Sequence, residues 1–207
     1  METANNDNQK GKLPEALQGA FIVVFGYQAV TLSQPISALS SGNFHWFRIL
    51  FIFIVLINVF NIIANWISAQ YIGKKEVNYK FNHLFWDLVT LAIFFIFSDI
   101  IKGDTLDIRY CAIVIGVQYL LLHAVYIVWN YTEISNQKKI EQPDTIIMSA
   151  LKKANIGNLV ALPFSISLLV CGIVNCGNVV LCVTFVLWII VWSWVIVDFV
   201  KGHGLIK

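Results

Sequence analysis

Six stretches of this chain run for about twenty residues with almost no charge, and each is long enough to cross a lipid bilayer as a helix. They lie near 16–38, 46–67, 83–102, 109–131, 157–174 and 178–199. At about 1.5 Å per residue, such lengths match a hydrocarbon core of roughly 30 Å. Only 13% of the 207 residues are charged and 58% are hydrophobic, whereas a soluble domain carries about 25% charge. The expected fold class is an all-α integral membrane protein with about six transmembrane helices.

The connections divide into two kinds. Ser40-Ser41-Gly42-Asn43, Gly103-Asp104 and Asn175-Cys176-Gly177-Asn178 are short and turn-forming, and the last of them makes the final two spans a tight hairpin. The other side holds Lys10, Lys12, Lys74, Lys75, Lys80, Lys138, Lys139, Lys152, Lys153, Lys201 and Lys207, eleven basic residues against Arg48, Lys102 and Arg109. Basic residues mark the cytoplasmic side. Both termini are thus expected in the cytoplasm and the chain in the cell (inner) membrane, crossing it several times. Trp66, Tyr71, Tyr79, Trp86, Trp129, Tyr131, Trp192 and Trp194 would form an inner aromatic belt, with Phe44, Trp46, Phe47 and Tyr110 as the outer one.

Four regions follow: a polar segment 1–15, four spans over 16–131, a cytoplasmic loop 132–156, and the hairpin with its tail over 157–207. The polar start contains no cleavable signal, so targeting is expected to fall to the first span. Within the loop, Pro143 and Asp144 suit a helix start, and Ile146, Ile147, Ala150 and Leu151 form an apolar stripe ahead of Lys152 and Lys153. This reads either as a short amphipathic helix on the membrane surface or as the lead-in to the fifth span.

Polar residues inside the spans carry the functional expectation. Asn58, Asn61 and Asn65 recur at i, i+3, i+7, on one helix face. Tyr119, His123, Tyr126 and Asn130 do the same on the fourth span, and Asp87 enters from the inner end of the third. Counted along each helix, Asn58, Asn61, Asn65, Asp87, His123, Tyr126 and Asn130 share one layer in the inner half of the membrane. Facing lipid they would lack partners, which is costly. The layer is therefore either interhelical hydrogen bonding or the lining of a water-accessible path with His123 and Asp87 as titratable members.

No glycine-rich phosphate loop, CxxC or HExxH is present, the four histidines are scattered, and a net charge of +2 is not a nucleic-acid footprint. No enzyme chemistry and no cofactor, metal or nucleic-acid partner is expected. The four cysteines lie in or beside apolar segments and read first as small packing residues. The leading expectation is a homo-oligomeric channel or transporter-like protein embedded in the bilayer. The alternative is a sensor or effector subunit that meets a soluble cytoplasmic partner, as in a bacterial stress or antiviral defence system, through Lys138, Lys139, Lys152 and Lys153.

Overall fold

The computed structural model describes residues 14–40, 46–75, 81–101, 107–139 and 145–202. They form six helices: α1 (Glu15–Ser40), α2 (Trp46–Lys75), α3 (Phe81–Ile101), α4 (Ile108–Gln137), α5 (Thr145–Val174) and α6 (Asn178–Gly202). All six are long and apolar enough to cross a membrane. The loops at Gly42-Asn43 and Gly103-Asp104, and Pro143-Asp144, lie outside the described residues.

The helices group by threes. α1, α2 and α3 pack on one another, as do α4, α5 and α6, and the groups join where α3 meets α4 and α2 meets α6. α4 is the innermost element, with 61% of its most apolar stretch buried, against 28% for α6. Outward faces carry Ile22, Val23, Phe53, Phe60, Ile96, Val170, Val183 and Ile190, all exposed. Water would penalise so much apolar surface and lipid does not, so the architecture is compatible with a multi-pass membrane protein.

Glycine and arginine fix the α4–α5 crossing. A Cβ at Gly116 would sit 2.8 Å from the backbone nitrogen of Leu169, and one at Gly172 3.1 Å from that of Ile113. Only glycine permits so close an approach. From the first turn of α4, Arg109 Nε donates to the carbonyl of Gly172 at 2.8 Å and Nη2 to that of Ile173 at 3.1 Å. These are carbonyls that a helix C-terminus leaves open, and a cation there complements the helix dipole. By contrast, a Cβ at Gly19 or Gly26 of α1 would meet nothing within 4 Å, so these two are not close-approach sites.

Three helices outrun their apolar segments: α2 continues to Lys75, α4 to Gln137, and α5 begins at Thr145. The stretch from Thr145 is therefore the first turns of α5 and not a separate surface helix. Its apolar stripe turns inward: Ala150, Leu151 and Ala154 are buried while Lys152 and Lys153 stay exposed. The region read as a loop over 132–156 is mostly helix for the same reason, because the buried face of α4 extends through Glu133 and Gln137. Two of the expected belt tryptophans, Trp129 and Trp192, are buried in the bundle, and Phe47 packs against Phe185 instead of anchoring at the surface.

α5 ends in a left-handed turn. The N–H of Cys176 donates to the carbonyl of Cys171 at 3.2 Å, across Asn175 at φ 57°. This is the Schellman closure, and asparagine tolerates the left-handed backbone better than most residues. Gly177 at φ 87° follows, and α6 starts at Asn178 and packs back along α5.

Candidate functional site

Spacing on α4 and α2 places a polar seam at the bundle centre. On α4 the buried residues Tyr119, His123, Tyr126, Asn130, Glu133 and Gln137 alternate steps of four and three. On α2 the buried residues Asn58, Asn61, Asn65 and Ser68 alternate three and four. An average step of 3.5 keeps these residues on one side of each helix.

Tyr119 Oη donates to Asn58 Oδ1 at 2.7 Å, and Gln118 Nε2 approaches the same oxygen at 3.5 Å. Two turns further on, Asn65 Nδ2 donates to Tyr126 Oη at 2.7 Å and to the Asn61 carbonyl at 2.9 Å, while Tyr126 Oη donates to Asn61 Oδ1 at 3.4 Å. Both tyrosine–asparagine pairs are 61 residues apart, as parallel helices in register require. Asp87 is buried on α3.

The α4 stripe resolves into two rows. Residues seven apart share a row, because 7.2 residues complete two turns. The hydroxyls of Tyr119 and Tyr126 reach α2, and Glu133 Oε2 lies 2.6 Å from His83 Nε2 on α3. His123 and Asn130 turn toward α5: His123 Nε2 is 3.2 Å from Ser165 Oγ, and Asn130 Nδ2 donates to Asn155 Oδ1 at 2.9 Å. So Asn58, Asn61, Asn65 and Tyr126 gather, whereas His123 and Asn130, about 40° further around α4, bond to α5.

The seam does more than tie helices together. Asn61, Asn65, Tyr126, Asn130 and Asn158 form the polar side of a narrow cleft of about 40 Å³. Trp129, Trp192 and Phe199 form its aromatic side. It lies toward the end of the bundle where α2, α4 and α6 finish and α5 begins. Three buried N–H donors of its lining residues, Asn61 Nδ2, Trp129 Nε1 and Trp192 Nε1, have no hydrogen-bond partner. An unsatisfied buried donor costs about 1–3 kcal/mol, so these residues carry polar groups short of partners.

Toward the other end the cleft is shut. Tyr119 stacks edge-on against Trp188 and Trp192, each ring centroid 4.6 Å away, and all three are essentially fully buried. Trp188 Nε1 donates to Ser165 Oγ at 3.3 Å, which locks the closure to α5. Lys138, Lys139, Lys152 and Lys153 are all exposed at the open end, two closing α4 and two on the first turns of α5.

Glu133, Gln137, Asn155, Asn158 and Ser165 did not stand out in the sequence. Continuing the four-three alternation past Asn130 reaches Glu133 and Gln137, so a signal existed for those two. Asn155, Asn158 and Ser165 carry no comparable pattern. Midway along α1, Gln28 hydrogen-bonds Ser98 and Tyr27 hydrogen-bonds Asp99 near the end of α3, fastening α1 to α3 through residues outside the seam. Among the described residues no cluster of three His, Cys, Asp or Glu side chains is placed to hold a metal.

Comparison of the chain with protein-family models, curated proteins and solved structures finds no match. The functional reading rests on the geometry.

Proposed function

We propose that this chain is a small transporter-like membrane protein that admits a polar, oxygen-bearing solute into the cleft from one side. The observation that carries this reading is the pairing of an open, donor-rich cleft with a closed aromatic layer beyond it. Binding sites in membrane transporters lie inside the bilayer where two helix groups meet, and only one side is open at a time. A continuous pore is disfavoured by Tyr119, Trp188 and Trp192, which fill the space above the cleft. Release to the far side then requires this aromatic layer to part.

The four exposed lysines at the open end support a cytoplasmic opening, with both termini cytoplasmic, the α5–α6 hairpin tip outside, and the cell membrane as the site of residence. Self-association, expected from helix number, is part of this proposal.

The test is uptake into liposomes holding purified protein, with a panel of small carbonyl-, carboxylate- and hydroxyl-bearing solutes and with ions, at mildly acidic and neutral pH. Saturable, protein-dependent uptake of one solute class is expected. Asn61→Leu and Trp192→Phe, which remove a donor each, should abolish it while the protein stays folded. If both variants transport like the wild type, or lose only thermal stability, the seam is structural and this reading fails.

A second reading is favoured by the same lysines, which form an exposed basic cluster fit for a soluble partner of a sensor or effector. Reversal of Lys138, Lys139, Lys152 and Lys153 to Glu separates the two. Loss of cellular function with normal flux supports the partner reading, and unchanged cellular function removes it.

A further inference from the structure

The turn joining α5 to α6 holds chemistry that the cleft does not use. In a Schellman turn the side chains of the first and last residues of the closed loop come into contact. Those residues here are Cys171 and Cys176, joined by the 3.2 Å backbone bond. That bond and the left-handed Asn175 bring the two residues together at the end of the helix. Cys176 is exposed and Cys171 half-buried, so one sulfur is open to a reagent and the other waits behind it. The remaining cysteines are engaged elsewhere: Cys182 Sγ donates to the Asn178 carbonyl at 2.6 Å, and Cys111 is buried on α4.

We propose that Cys171 and Cys176 are a redox-active dithiol that closes to an intramolecular disulfide on meeting a disulfide oxidant, such as oxidised glutathione or a disulfide-bearing oxidoreductase. The Cys176 thiolate attacks one sulfur of the oxidant, forming a mixed disulfide and releasing the first oxidant thiolate. The Cys171 thiolate then attacks the Cys176 sulfur and releases the second. Two thiol protons pass to the two departing thiolates, so the oxidant is reduced by two electrons to two thiols and the turn is oxidised by two. Disulfide geometry demands closely placed α-carbons, and the helix terminus already provides this, because Asn175 and the Cys176 N–H have folded the chain back on itself. The closed form covalently staples the last turn of α5 at the point where Arg109 grips Gly172 and Ile173. On the orientation proposed above, the pair faces the side where such oxidants operate.

The experiment uses the full chain in detergent, incubated with oxidised glutathione, blocked with N-ethylmaleimide, and read by intact mass and non-reducing peptide mapping. Expected are two fewer maleimide adducts than in the reduced protein, a monomer, no retained glutathione, and a mapped Cys171–Cys176 bond that dithiothreitol reverses. In Cys171→Ser, glutathione should remain on Cys176, since the resolving thiol is gone. The Cys111→Ser/Cys182→Ser double variant should behave as wild type. A covalent dimer through Cys176, glutathione retained on Cys176 of the wild type, or full maleimide labelling of Cys176 after oxidant would each overturn the proposal.

Discussion

Asn58 shows what one polar side chain does inside an apolar bundle. It is 2% exposed and its Oδ1 accepts from the fully buried Tyr119 hydroxyl. Asn58→Leu leaves that hydroxyl without its partner, a loss of about 1–3 kcal/mol. Tyr119→Phe removes the donor but leaves Asn58 near Gln118, so it should cost less, about 0.6–1.7 kcal/mol, the range of interhelical hydrogen bonds in membranes. Unfolding of the two single variants and the double in mixed micelles measures the difference, and equal losses would sink the assignment. At the turn, the hydrogen bond to Cys171 holds the exposed Cys176 thiol above its ordinary pKa. Fewer thiolates are then present at any given pH below that value. Cys171→Ser weakens this effect, so Cys176 should react faster with maleimide at neutral pH in that variant than in the reduced wild type. The asparagine stripe was legible in the sequence because an amide among Ile, Phe and Val has no other business there. Glu133 was not, because beyond Tyr131 polar residues are ordinary and contrast disappears.

Among the elements, α4 and α5 hold the tightest crossing. Gly116→Ala should lose about 1–3 kcal/mol, since its new methyl meets the Leu169 backbone and a helix must shift. Gly19→Ala, with open space around it, should be neutral or gain up to about 1 kcal/mol through helix propensity. Thermal unfolding of both in one detergent ranks them, and an inverted order would contradict the crossing. Helix number and approximate spans were readable from hydrophobicity alone. Where each helix ended was not, since α5 takes its first turns from a basic, amphipathic stretch whose apolar residues pack inward. Nor could spacing distinguish the two rows of α4, because a four-residue step differs by only about 40° around a helix of 3.6 residues per turn.

For the whole molecule, the seam and the His83–Glu133 contact hold the two helix groups together. Replacing only one member strands a buried polar group, whereas replacing both with leucine removes the mismatch. His83→Leu/Glu133→Leu should therefore be less destabilised than Glu133→Leu alone, by about 1 kcal/mol or more. A double variant worse than either single change would show that each residue acts through other neighbours. The cleft itself was out of reach of the sequence, for it depends on four helices and on tryptophans that composition assigns to the membrane surface. One consequence follows from the parallel pairs on α2 and α4. Their repeat is seven residues, so sliding α4 by about 10 Å would set Tyr119 against Asn65 and still make a good bond. The seam has strength without an address. Gly116 against Leu169 and Glu133 against His83 occur once each, and they act as the key that selects one register from two.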